Sequence, residues 1–235
     1  APAISALALI GILYGSFVAL VQPDMKKLIA YSSIAHLGFV VLGLFSFQQS
    51  AVQGAVYQMV NHGVSTGALF MMVGMLYDRV HTRKIAELGG LATPLPVFTT
   101  FFLFATLSSI GLPLLNNFVG EFLILAGVFQ RNMAHAVVAS AGVFLSAAYM
   151  LWMVQRVFYG EPQQRHARLA DLDGREKIVL VPTCALMLFM GVYPAFFLRP
   201  MDSAVAAVVE RVGQTTTEAR GGAADANAQL AQGAK

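Results

Sequence analysis

Residues 108–129 read SSIGLPLLNNFVGEFLILAGVF, and this stretch decides how the rest of the chain is understood. It lies inside a long apolar segment and interrupts it twice. Gly111, Pro113, Asn116 and Asn117 stand where a helix would have to continue. Proline has no amide hydrogen, and its ring clashes with the preceding turn. Glu121 follows, with apolar residues on both sides. Of the twelve acidic and fifteen basic residues in the chain, Glu121 alone sits well inside an apolar span. A carboxylate at that depth is costly unless it is protonated, paired or wetted.

Working outward, the whole chain shares the apolar character of this stretch. It has 235 residues, 57% hydrophobic and 11% charged, with a mean hydropathy of +0.67. Soluble domains carry about 25% charged residues, so the composition specifies an all-α polytopic membrane protein. The single cysteine, Cys184, lies in an apolar run and excludes an intrachain disulfide or thiolate cluster. No signal-peptide pattern opens the chain, which is already apolar by Ile4; the expectation is that further sequence precedes Ala1. P-loop, GxGxxG, CxxC and HExxH motifs are absent. Nucleotide, flavin and iron–sulfur chemistry are therefore not expected of this chain, and nothing suggests a nucleic-acid partner.

Six apolar segments approach the roughly 20 residues that a helix needs to cross a bilayer. They fall near 3–21, 27–46, 53–77, 96–130, 135–158 and 177–198. The fourth is too long for one regular span and too short for two comfortable ones. Charge sidedness decides. If 96–130 crosses once, Lys26, Lys27, Arg79, Arg83, Lys84, Arg156, Arg165, Arg168, Arg175 and Lys177 share one side, against Arg131 and Arg199 on the other. The positive-inside rule then makes the ten-residue side cytoplasmic and leaves both chain ends outside. The fourth segment is thus expected to be one crossing, broken near 111–117. Non-helical backbone at that depth is tolerated only where protein buries it or it lines a wet cavity, and transporters use such breaks to hold ions.

Other polar residues interrupt the second and third spans. His36 follows Tyr31, Ser32 and Ser33; it is either a packed histidine bonded to a neighbouring helix or a proton carrier. In the third span Asn61 precedes His62, and His62, Ser65 and Thr66 stand at i, i+3 and i+4, on one helix face. Such a face can pass a proton between hydroxyl and imidazole, or simply bond across helices. His81, His135 and His166 fall in loops or at span ends and read as solvated. Gly11 and Gly15, four apart, suit close helix packing. Residues 1–200 form the expected helical bundle. Within 201–235, Met201 to Val212 can make a short amphipathic stretch, and Gly213 to Lys235 reads as a mobile tail on the outer side.

Four runs, QPDMKKLIAYSSIAHLGFV, YQMVNHGVSTGALF, MLYDRVHTRKIAELGG and NFVGEFLILAGVF, together resemble the antiporter-like membrane subunits of proton-pumping NADH–quinone oxidoreductase, respiratory complex I. Glutamate in NFVGEF and the HTR connector resemble the M type, called subunit 4 in mitochondria, rather than the L and N types. The resemblance covers roughly residues 1–200. It implies a fourteen-helix fold of two inverted five-helix repeats, each with a broken helix, of which this chain supplies the last six helices. It implies that Glu121 is the terminal protonatable residue of a lateral proton path, with His36 and His62 carrying protons toward it. It further implies a bacterial cytoplasmic membrane, with L-type and N-type subunits and lipids as neighbours. NADH, FMN, iron–sulfur clusters and quinone would be bound by other subunits, with no cofactor or metal in this chain. One departure stands out: Leu114-Leu115 follows Pro113 where the family usually has a small residue such as glycine. A multi-subunit cation/proton antiporter and a purely structural membrane scaffold are the competing functions.

Overall fold

The computed structural model describes residues 2–161, 163 and 166–214, and among these it is helical with no strand. Helices α1 (Pro2–Leu20) and α2 (Met25–Leu44) are joined by a short turn. There Asp24 caps α2 by accepting from the amide of Lys27 at 3.1 Å, as N-cap aspartates do. Helix α3 (Gln49–Val80) runs for 32 residues and ends at His81 in a left-handed conformation. Helices α4 (Pro96–Ser109) and α5 (Asn116–Arg131) flank the interruption, and Asn132 caps α6 (Met133–Phe158). Helix α7 (Gly174–Val192) opens with a capping box between Asp173 and Glu176. Past it the chain turns by 80° into α8 (Ala195–Gln214), which contains a 3-10 turn at Arg199–Met201.

Four of these helices, α1, α2, α3 and α6, are each long and apolar enough to cross a membrane, and α7 with its bent continuation makes a fifth. Helix α4 is too short alone. Together with α5, however, it runs the length of α3. Asp171 accepts the amides of Val97 and Phe98 at the start of α4, and Arg79 at the far end of α3 reaches the same loop, donating to the carbonyls of Ala170 and Asp171. At the other end, Gly127 of α5 lies against Ser50 and Ala51, at the beginning of α3. Residues 96–131 therefore make one broken traverse of the helical bundle. The break occupies 110–115, so Asn116 and Asn117 open α5 rather than interrupt it.

Two apolar cores sandwich a polar layer. The first gathers Met25, Leu28, Leu69, Met72, Phe98, Phe102, Met153 and Phe158 toward the basic loops. The second gathers Ile12, Phe39, Leu42, Ala51, Ala55, Ile124 and Val128 toward the opposite end. Along α2 the order is Leu28, then Ser32 and His36, then Phe39. Along α3 it is Ala55, then Gln58 to Thr66, then Leu69. The polar residues of separate helices thus share one depth.

Three other expectations change. The sixth span, expected at 177–198, begins at Gly174 and ends at Val192, because Pro194 turns the chain away. Helix α1 approaches α2 at Gly15, where a Cβ would stand 3.0 Å from the backbone nitrogen of Ala35, whereas Gly11 faces open space. His166 is not solvated but 5% exposed, in a pocket it lines with Gly90, Thr93 and Pro94. Helix α8 crosses residue 200 and is tied to α3 through Gln53, which donates to the carbonyl of Leu198 and the carboxylate of Asp202. Residues 215–235 of the expected tail lie outside the described residues.

Candidate proton-relay site

Burial on α2 repeats at helical spacing through Leu28, Ser32, Ala35, His36 and Phe39, which points the His36 ring into the bundle. Helix α5 buries Asn117, Gly120, Glu121, Ile124 and Val128. Its two glycines let it lie flush on α3: a Cβ at Gly120 would fall 3.1 Å from the Cα of Gln58, and one at Gly127 would fall 2.7 Å from the amide of Ala51. Close approach of α5 to α3 and α2 brings Glu121 and His36 together.

Glu121 is 4% exposed and His36 1%. His36 Nδ1 and Glu121 Oε1 stand 2.8 Å apart, so one proton can lie on either atom of the pair. The His62 ring lies 5.4 Å from that of His36, centre to centre, tilted by 43°. Thr66 Oγ1 is 3.1 Å from His62 Nδ1. No described residue hydrogen-bonds His36 Nε2, although it is buried. An imidazole that accepts a proton at one nitrogen can release another from the second. His36, with Nδ1 on the carboxyl group and Nε2 open, is arranged for that exchange. Breaking such a buried pair is costly, while replacing both partners with apolar residues of equal volume often is not; stability alone gives little reason to keep it.

The other expected residues divide into two groups. Thr66 joins His62. Ser65 does not: its hydroxyl donates to the carbonyl of Asn61 at 3.0 Å and accepts from Asn117 Nδ2 at 2.9 Å. Asn61 Nδ2 donates to the carbonyl of Asn116 at 2.8 Å, and Asn116 Nδ2 returns a bond to the carbonyl of Asn61 at 3.1 Å. Ser108 donates its hydroxyl to Asn116 Oδ1. Asn61, Ser65, Asn116 and Asn117 therefore clasp the break to α3, and the single hydrated face expected for His62, Ser65 and Thr66 is split between the His62–Thr66 pair and this clasp. Gly111 sits at φ +76°, and a Cβ there would lie 3.2 Å from Glu121 Oε2. Leu114, the departure noted above, takes φ +77° with a side chain that is 66% exposed, a conformation that costs a leucine about 1–2 kcal/mol. Gln58, overlooked in the sequence, donates its amide to Glu121 Oε1 at 3.2 Å; its position four residues before His62 was the available signal. Tyr57 beside it donates to the carbonyl of Met190 at 2.7 Å, tying α3 to α7 at the same level.

With this geometry established, comparisons with known proteins locate the chain. The profile of the family described as NADH:quinone oxidoreductase/Mrp antiporter, TM, matches residues 1–146. NADH-quinone oxidoreductase subunit M of Rhodobacter capsulatus is 47% identical over 205 residues, covering 87% of this chain and 40% of that protein. NADH-ubiquinone oxidoreductase chain 4 of Marchantia polymorpha is 43% identical over 210 residues, covering 89% and 42%. The chain thus spans about two-fifths of the length of these relatives. Among solved structures, respiratory complex I from Thermus thermophilus with bound NADH superposes with a TM-score of 0.83 at 35% identity, over 88% of this chain and 44% of that one. The Mrp complex from Dietzia sp. DQ12-45-1b reaches 0.80 at 18% identity over 88% and 47%, a likeness of fold alone. The residues that suggested complex I antiporter-like subunits and the broken-helix architecture lead to the same place: the chain belongs to the NADH:quinone oxidoreductase/Mrp antiporter transmembrane family.

Proposed function

We propose that this chain is the C-terminal portion, the last six helices, of an M-type membrane-arm subunit of NADH–quinone oxidoreductase, and that it moves protons through His62, His36 and Glu121. The observation that carries this function is the buried pair of His36 and Glu121, 2.8 Å apart beside a helix break. A proton reaching His62, with Thr66 as its hydroxyl neighbour, passes to His36 Nε2, a step that one hydrogen bond or one bridging water can span. It then crosses from His36 Nδ1 to Glu121 Oε1. Glu121 releases it when a neighbouring charge or the shape of the break changes. Redox energy drives that change from other subunits, which bind NADH, FMN, iron–sulfur clusters and quinone; no redox step is assigned to this chain. L-type and N-type subunits and lipids are its neighbours. The basic loops face the cytoplasm of a bacterial inner membrane, and the 201–235 segment lies on the outer side.

The test uses the full-length subunit in its complex. Flavin and iron–sulfur centres should copurify with it, and their absence would favour the cation/proton antiporter instead. His36→Gln keeps a hydrogen-bonding side chain that does not titrate. It should leave the complex assembled while the NADH-driven pH gradient in inverted vesicles falls at least tenfold. A wild-type gradient in assembled His36→Gln would remove His36 from the path and favour the scaffold.

A further inference from the structure

The two oxygens of Glu121 have different surroundings. Oε1 is held from two sides, by His36 Nδ1 at 2.8 Å and by Gln58 Nε2 at 3.2 Å. Oε2 has no hydrogen bond from any described residue and lies against Gly111 in the break, where a Cβ would come within 3.2 Å of it. Gln58 is 0% exposed and packs against Gly120 of α5. The neighbouring Tyr57 is bonded to α7, and Gly120 has no Cβ, so the Gln58 side chain fills the space that a Cβ would take.

We infer that Gln58 is a positioning residue for Glu121: it holds Oε1 toward His36 and leaves Oε2 turned to the break, so that the imidazole meets one fixed oxygen of the carboxyl group. The inference rests on the proton-relay function proposed above. Packing alone does not account for the residue. Gln58 Oε1 is buried without a hydrogen-bond partner among the described residues, and an unsatisfied buried carbonyl is destabilising. A methionine of similar volume would fill the same space without that penalty. An amide also serves both protonation states of its neighbour without carrying charge. Its NH2 group donates to a carboxylate, and after a half-turn its carbonyl accepts from a carboxylic acid. A lysine or arginine in its place would hold Glu121 ionised, and a leucine would leave the carboxyl group free to rotate.

The test is infrared difference spectroscopy on the intact complex, with the carboxyl band of Glu121 identified by its loss in Glu121→Gln. In Gln58→Met that band should move to higher wavenumber, because one hydrogen bond to the carboxyl group is gone, and NADH-driven pumping should slow roughly tenfold. Gln58→Asn draws the same amide back by one methylene and should shift the band in the same direction with less disturbance of packing. It carries the test if the methionine variant fails to assemble. A carboxyl band at its wild-type position, with wild-type pumping, in an assembled Gln58 variant would overturn the inference and leave Gln58 as packing. If wild type shows no band that Glu121→Gln removes, the failure lies earlier: Glu121 does not change protonation, and the relay itself is refuted.

Discussion

Two helix interruptions among the described residues, six residues long and two, are built from different materials. At 110–115, between α4 and α5, the backbone is clasped by Asn61, Ser65, Ser108, Asn116 and Asn117, and a buried carboxylate stands one turn into α5. At 193–194, between α7 and α8, Pro194 turns the chain by 80° among aromatic rings. Phe189 lies 6.2 Å from Tyr193 and 5.8 Å from Phe196, and Phe196 lies 5.1 Å from Phe197. A broken helix is therefore not by itself an ion site. What distinguishes the first break is the polar layer across which it opens, held at one depth between two apolar cores. The second redirects the chain and sends α8 back toward Gln53.

The first interruption touches the last turn of α7, just before the second, and the contact is the most vulnerable point. At Gly191 a Cβ would stand 2.1 Å from the carbonyl oxygen of Leu114 and 2.5 Å from the carbonyl carbons of Leu114 and Leu115. No flexible side chain is available to yield. Gly191→Ala should push α7 off the break at a cost of about 3 kcal/mol or more, seen as loss of the assembled complex on native gels. Normal assembly and thermal inactivation would mean that the two interruptions are independent. A smaller effect is expected within the clasp. Asn116→Ala removes two side-chain bonds at a buried site and leaves the Ser108 hydroxyl unpartnered, a loss of about 1–3 kcal/mol; the thermal midpoint should fall while the complex still assembles. The smallest effect runs the other way. Leu114→Gly relieves a left-handed leucine whose side chain is mostly exposed, and should stabilise by up to about 1 kcal/mol once the added freedom of glycine in the unfolded chain is subtracted. A destabilised Leu114→Gly variant would show that the leucine contributes a contact that outweighs its strain.

The contrast between the breaks also explains what could be foreseen. The position of the first was legible because Gly111 and Pro113 interrupt an apolar run and Glu121 is a charge with no other reason to be there. A single broken traverse of the bundle by 96–131 was expected from the grouping of basic residues. The second break was not legible as an end of the span. Residues 193–198 remain apolar after the turn, and hydropathy does not record direction. The division of Ser65 from the His62–Thr66 pair was also hidden. Residues at i+3 and i+4 lie on one side of a helix yet diverge by about 100°, so Ser65 meets Asn117 while Thr66 meets His62. Gln58 is an ordinary polar residue until α5 is laid on it through Gly120, and the burial of His166 depends on its meeting the distant residues Gly90, Thr93 and Pro94. These are facts of packing between distant segments, which local spacing does not contain.

The central claim is that the first break works by a change of protonation at Glu121, and the second does not. Glu121→Gln keeps the volume and the capacity for hydrogen bonding while removing the titratable group. The most direct measurement is the number of protons moved per NADH oxidised in inverted vesicles, for Glu121→Gln beside Pro194→Ala, with assembly checked on native gels. The predicted result is a steep fall in that ratio for Glu121→Gln and the wild-type ratio for Pro194→Ala. An assembled Glu121→Gln complex that pumps at the wild-type ratio would contradict the account.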